Sequence, residues 1–405
     1  MESLKIAFRN IFRNSRRSML TLTIITLGIA LAILGLGWFG GILNSVTEEA
    51  VKGSGNIRIT ATDFELKEKS FDTSSNIDYE EVKDKVAGVK ETEKVTGVIK
   101  FGATVFKKED EQKPAMGFGV ESNSYEINKF GEAIIEGRFL NFNNKNEIII
   151  GEKLKRFLGL KLGEKITILS KTQNSSIAAH NYKIVGVYSM ENGKMNQSFY
   201  LTLNDAQYLL DMEGVVTEFQ IFTEKSADMK KVKKEVMEKL GKNFLVKSWN
   251  EIGVASMIAS VLPFVQKVVV AILALLAGIG IANTMIMVVF ERKREIGVMK
   301  SMGVSNSGVG IILLFEGVFI GVIGSIAGAV LGGVISFILS KTGVALGKAL
   351  DGMPSGLTIK STIYPEFNIN YVVAAFIAGT AVAFLATLLP VCKIAWKEPA
   401  ELLKD

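Results

Sequence analysis

The chain alternates between long apolar blocks and charge-rich sequence, and the two kinds of segment hardly mix. Met19–Leu43 contains no charged residue over 25 positions, and Val268–Phe290 none over 23. Ser301–Ser340 contains one, Glu316, and Phe367–Cys392 contains none. A helix crossing a bilayer needs roughly 20 predominantly apolar residues. The pattern predicts four transmembrane helices, over 19–43, 268–290, within 308–340 and over 367–392.

Residues 44–267 read differently. "IRITATDF", "YEEVKDKVAGV" and "VTGVIKFGATVF" follow the strand, helix, strand order. "TEFQIFTEKS", "MKKVKKEVMEKLG" and "NFLVKSW" repeat it. In the second helix Met229, Val232, Val236 and Leu240 share one face, with Ser226 as the expected N-cap and Gly241 as the stop. The middle, about 115–214, reads as a strand-rich subdomain inserted into a split α+β sheet. There "NEIIIGEKLKRFLGLKLGEKITIL" predicts strand, short helix, glycine turn and strand. The uncharged "EIGVASMIASVLPFVQK" before Val268 is expected to extend the second membrane helix outward as a stalk, kinked at Pro263. The fold class is a membrane protein of four transmembrane helices, with a large extracytoplasmic α+β domain between the first and second.

Charge sets the orientation. Of 405 residues 48% are apolar and 22% charged, and the net charge is +6. Basic and acidic residues balance over 44–267, so the excess lies in the parts that flank the membrane. Lys5, Arg9, Arg13, Arg16 and Arg17 crowd the first flank, and Arg292, Lys293, Arg294 and Lys300 lie between the second and third spans. The positive-inside rule then makes both termini and the 291–303 segment cytoplasmic. The large domain and the 341–366 loop are outside, and 393–405 is a cytoplasmic tail. The location expected is the cell (inner) membrane. In residues 1–18, Leu4, Phe8, Ile11 and Phe12 repeat at helical spacing beside the basic stripe, as in an interfacial amphipathic helix against anionic lipid. The first apolar run is too long for a signal peptide, and a retained helix is expected.

Several chemistries lose support. A lone cysteine, Cys392, gives no disulfide framework, and a lone histidine, His180, gives no His-based metal site or triad. His180 is expected to be an ordinary sheet or surface residue. No basic surface interleaved with aromatics points to nucleic acid. Ion-coupled transport uses several intramembrane ionisable groups, whereas the spans hold only Glu316. That residue either pairs with a basic group near the 291–303 segment, or it snorkels or bonds to a neighbouring backbone or hydroxyl. Gly317 and Gly321, and then Gly324, Gly328 and Gly332, recur every four residues. Such spacing lets helices approach closely, within the chain or across a dimer. Gly28, Gly35, Gly37, Gly40 and Gly41 in the first span mark either packing or a lateral opening to lipid.

The charge-dense "ERKREIGVMKSMG" between two apolar spans has a pattern of its own. Ile296, Met299 and Met302 give it an apolar face, and Gly297 and Gly303 can bend or end it. The run "ERKREIGVMKSMG", with "FEG" about a dozen residues later and then a glycine-rich span, resembles the MacB/FtsX/LolC–LolE family of ABC transporter permeases, the type VII fold. "EGRFLNFNNKNEIIIGEKLKRFLGLKLGEKITI", "YKIVGVY" and "CKIAWKEPAELLK" extend the likeness over nearly the whole chain.

The resemblance implies a coupling helix over 291–303, held by an ATPase subunit through Glu291, Arg292, Arg294, Glu295, Ile296, Met299 and Gly303. No G-x-x-x-x-G-K-[ST] phosphate loop occurs in the chain. It is therefore expected not to be an enzyme and to hold no cofactor, with ATP and Mg bound by the partner ATPase, two copies of which are expected. The further partners implied are a second permease copy or paralogue, membrane lipid, and a periplasmic adaptor or lipoprotein cargo. The function implied is transmission of ATP-driven motion to the extracytoplasmic domain for lipoprotein release or extraction of a hydrophobic cargo. The alternatives are MacB-like efflux of peptides or drugs and FtsX-like control of a cell-wall hydrolase.

Overall fold

The computed structural model describes residues 15–64, 73–108, 111–122, 124, 133–190, 195–224, 227–346, 362–398 and 402. The helix expected over 1–18 lies outside them apart from 15–18, and so do Ser226 and much of the 341–366 loop. Two compact units are present, one of which contains Ser45–Ile258 and the other the long apolar helices.

Helix α1 (Ser15–Ser54) runs well past the expected end at Leu43. Glu48, Glu49, Ala50 and Lys52 favour the added turns, and Lys52 pairs with Glu48 one turn back at 2.6 Å. Gly55, at φ +72°, ends the helix. The last carbonyls are held from the sheet side: Lys100 Nζ and Gln220 Nε2 both donate to Gly53 O, at 3.0 and 3.1 Å. Glu218, fully buried, accepts from both donors at 2.8 and 2.7 Å. Burial works to raise the Glu218 carboxyl, but Lys100 and Arg58 hold it below the usual range.

The unit then runs β1 (Ile57–Ala61), β2 (Ile77–Asp78), α2 (Tyr79–Val86), β3 (Thr92–Lys108), β4 (Glu111–Val120) and β5 (Ile134–Gly137). Next come β6 (Glu147–Gly151), α3 (Glu152–Leu158), β7 (Lys165–Lys171), β8 (Ile177–Tyr188), β9 (Phe199–Thr202) and α4 (Leu203–Leu210). β10 (Val215–Val216), β11 (Glu218–Thr223), α5 (Met229–Leu240) and β12 (Phe244–Ser248) close it. One sheet orders its strands β12–β1–β11–β3–β4–β9–β6–β8–β5, and β7 pairs with both β3 and β8. The middle strands thus join the same sheet instead of folding as a separate insert. The β3–β4 hairpin, registered from Val98↔Val120 to Lys108↔Glu111, carries the sheet from one half to the other.

α5 buries Val232, Val236 and Leu240, and Gly241 at φ +77° stops it. Its cap is Asp228, which accepts from the Lys230 N–H at 3.0 Å, and not Ser226. At the β5–β6 end, Arg138 meets Glu147 with two parallel N–H···O bonds of 2.9 and 2.6 Å.

The second unit holds α1 up to Asn44 with α6 (Gly253–Glu291, from Ala259), α7 (Lys293–Ser301), α8 (Asn306–Thr342) and α9 (Ile369–Ala395). All four long helices are apolar and long enough to cross a membrane. α6 contains Pro263 and runs unbroken from Gly253, so the 253–267 stretch extends the helix of the second span, as expected of a stalk. The α8 glycines serve two neighbours in the same chain. Gly317 and Gly321 face Thr387 and Ala383 of α9, while Gly324, Gly328 and Gly332 face Ile25, Ile29 and Ala30 of α1. A Cβ on Gly328 would lie 2.7 Å from Ile29 Cβ, and one on Gly332 2.8 Å from Ala30 Cα. The stripe is therefore packing within the chain. The first-span glycines divide. Gly37, Gly40 and Gly41 pack on residues 364–366, and the Glu366 N–H donates to Gly37 O at 2.8 Å. Gly35 has open space beside it.

Candidate coupling segment

α6 ends at Glu291, Arg292 leaves the helical conformation (φ −96°, ψ 8°), and α7 starts at Lys293. A Schellman turn ends α7: Gly303, at φ +94°, donates to Lys300 O at 3.0 Å, and the Val304 N–H donates to Met299 O at 3.1 Å. Only glycine adopts that conformation without strain, which explains the glycine of "KSMGVS". Ser305 then caps α8 by accepting from the Gly308 N–H at 3.1 Å. The segment between the two spans is thus a short helix with a defined start and stop.

Three residues four apart point inward. Arg292 Nη1 donates to Glu316 Oε2 at 2.8 Å, with both side chains buried. Ile296 is buried in a cluster with Val289, Val309, Leu313, Val391 and Ile394. Lys300, also buried, donates to Ala395 O at 2.9 Å and to Lys397 O beyond the end of α9. A buried ammonium requires such acceptors. Met299 packs partly on the same cluster, which Leu402 completes from the tail.

Glu291, Arg294, Glu295, Val298, Ser301 and Met302 lie on the exposed side. Val298 is 45% and Met302 73% exposed. This corrects the expected contact set. Arg292 and Ile296 are not offered to a partner, because the chain's own helices take them up. Of the expected contacts, Glu291, Arg294 and Glu295 stay on the surface, and Gly303 shapes the exit turn. Val298, Lys300 and Leu402 were missed. The 292–296–300 spacing was the available signal for the inward stripe. Glu316 is where the sequence placed it, and its partner is the arginine that opens the segment.

Elsewhere, His180 lies against the rings of Tyr182 and Tyr208, with Nε2 2.9 Å from Asn146 Oδ1. Among the described residues no group of three or more His, Cys, Asp or Glu side chains gathers as a metal site.

A model of the MacB-like periplasmic core domain matches residues 18–239, and one of the FtsX-like permease C-terminal region matches residues 267–399. The chain belongs to the MacB/FtsX/LolC family of ABC transporter permeases. Its similarity to curated family members is moderate. The ABC transporter permease MJ1507 of Methanocaldococcus jannaschii is 26% identical, over 78% of each chain. The permease YknZ of Bacillus subtilis is 23% identical over 79% of this chain and 82% of its own. The lipoprotein-releasing system transmembrane protein LolC of Xylella fastidiosa is 21% identical over 64% of each. Among solved structures, the extracellular domain of YknZ from Gram-positive bacteria covers 47% of this chain and 99% of its own, at 18% identity and a TM-score of 0.36. The periplasmic region of MacB from Actinobacillus actinomycetemcomitans covers 52% and 95%, at 12% identity and a TM-score of 0.36. This family member is a multi-pass membrane protein with an α+β domain between its first two long helices.

Proposed function

We propose that this permease is the mechanical membrane subunit of an ABC transporter whose ATPase is a separate chain. The ATPase grips the outer face of α7 on the cytoplasmic side, two copies serving a pair of permease subunits. Nucleotide-driven closure of the ATPases moves α7, and the long helices carry that movement to the extracytoplasmic domain. ATP and Mg belong to the partner. The cargo is a lipoprotein or another hydrophobic molecule drawn from the outer leaflet. The likeness to LolC supports that choice. The basic flanks and the positive-inside rule support the orientation.

One observation carries the reading. A short helix between two spans is anchored from below by Arg292, Ile296 and Lys300, yet presents Arg294, Glu295, Val298 and Met302 outward. Charges set the approach of a partner, and the two apolar side chains fill its groove. Co-purification of tagged permease in mild detergent tests it. The wild type is expected to retain an ABC ATPase, and Val298→Asp and Met302→Asp to lose it while remaining inserted and monodisperse. Full retention by both variants would sink the reading.

A further inference from the structure

We propose that the C-terminal tail is a strut for the coupling segment, with Lys300 and Leu402 as positioning residues that lock α7 to the end of α9. The consequence for ATP hydrolysis rests on the ATPase reading above, whereas the strut itself does not.

The last carbonyls of a helix lack intrahelical partners and carry its negative pole. At α9 two carbonyls of the helix exit, those of Ala395 and Lys397, accept from one ammonium, that of Lys300. The lysine comes from a different element, 95 residues away in sequence from Ala395. The dependence is mutual. Lys300 is only 9% exposed, and no carboxylate among the described residues pairs with it. Its charge is tolerated because the tail turns where it does. The Leu402 N–H donates to Glu398 O at 3.2 Å, which ties Leu402 to the residues just past the end of α9. Leu402 is 1% exposed and lies in the cluster that buries Ile296. It stands beyond the last apolar run, so its burial comes from packing under α7 and not from lipid. Trp396, between the two contacts, is 78% exposed, whereas Leu402 beyond it is buried. With Arg292 on α8 at one end and Lys300 on α9 at the other, α7 is fixed at both ends. A load applied to its outer face therefore reaches α9 as well as the helix that leads into it.

The test uses the full chain in lipid nanodiscs with two readouts. In a Cys392→Ser background, a spin label on Met302→Cys reports the mobility of α7 without any partner. Unlabelled permease co-purified with its ATPase reports kcat and KM for ATP. Lys300→Met and Leu402→Asp are expected to raise label mobility and to lower kcat several-fold with KM unchanged. Lys300→Arg and Leu402→Met are expected to restore both. A chain ending at Pro399 keeps both carbonyls but lacks Leu402, and decides the matter if Leu402→Asp fails to insert. Unchanged mobility in Lys300→Met and in the shortened chain would overturn the strut. Raised mobility with an unchanged kcat would overturn its role in coupling. A wild type that retains no ATPase would count against the ATPase reading alone, since the label still decides the strut.

Discussion

Arg292 and Glu316 form a buried ion pair, Nη1 to Oε2 at 2.8 Å, between the start of the candidate coupling segment and α8. Arg292 Nη2 has no partner among the described residues, so its charge leans on Glu316. Removing one member of a buried pair costs about 3–5 kcal/mol, because the other is left uncompensated, whereas apolar replacement of both is often neutral. Arg292→Met and Glu316→Leu should each lower the melting temperature of the detergent-solubilised protein. The double variant should recover most of the loss. Additive losses in the double variant would show that the pair does not act as a unit.

The α8 glycines make a graded prediction. Gly328→Ala puts a methyl 2.7 Å from both Ile29 Cβ and Thr26 O, one of them backbone, so α1 and α8 must separate. Overpacking of this kind costs about 1–3 kcal/mol. Gly35→Ala meets nothing within 4 Å and should be neutral or slightly stabilising, as alanine is the better helix former. Thermal unfolding of the two variants side by side checks this. Equal stability would mean that the close α1–α8 approach is not maintained in the membrane.

The spans were legible because an apolar run of sufficient length identifies itself, and the glycine spacing announced close packing. Which helix each glycine meets was not legible. Gly321 and Gly324 are three residues apart yet serve α9 and α1, a choice made by tertiary arrangement. The coupling segment shows the same limit more sharply. Periodicity places Ile296 and Met299 on an apolar face but does not say whether the chain or a partner covers it. The buried stripe also hid because two of its three members, Arg292 and Lys300, carry charge. In the sheet, each strand could be read locally, but the β3–β7 pairing joins residues such as Thr104 and Leu169, whose contact no local pattern encodes.

Glu147 makes stability depend on pH. The paired Arg138 hydrogen bond, assisted by donors from Asn144 and the Asn141 N–H, pulls its carboxyl from 4.5 down to about 2 against a smaller opposing effect of burial. A carboxyl whose folded value is depressed stabilises the native state fully above its unfolded value. That contribution fades as pH falls from about 4.5 towards about 2. Burial raises Asp205 and so acts in the opposite sense, but it is common to any pair of proteins compared. The difference in melting temperature between wild type and Glu147→Gln therefore isolates this one group. It should be largest near pH 6, shrink through pH 4 and nearly vanish by pH 2. The variant leaves Arg138 half exposed, so water takes over part of the lost interaction and the gap at pH 6 stays modest. A gap independent of pH would mean that the glutamine costs shape or hydrogen bonding and that the charge of Glu147 contributes nothing.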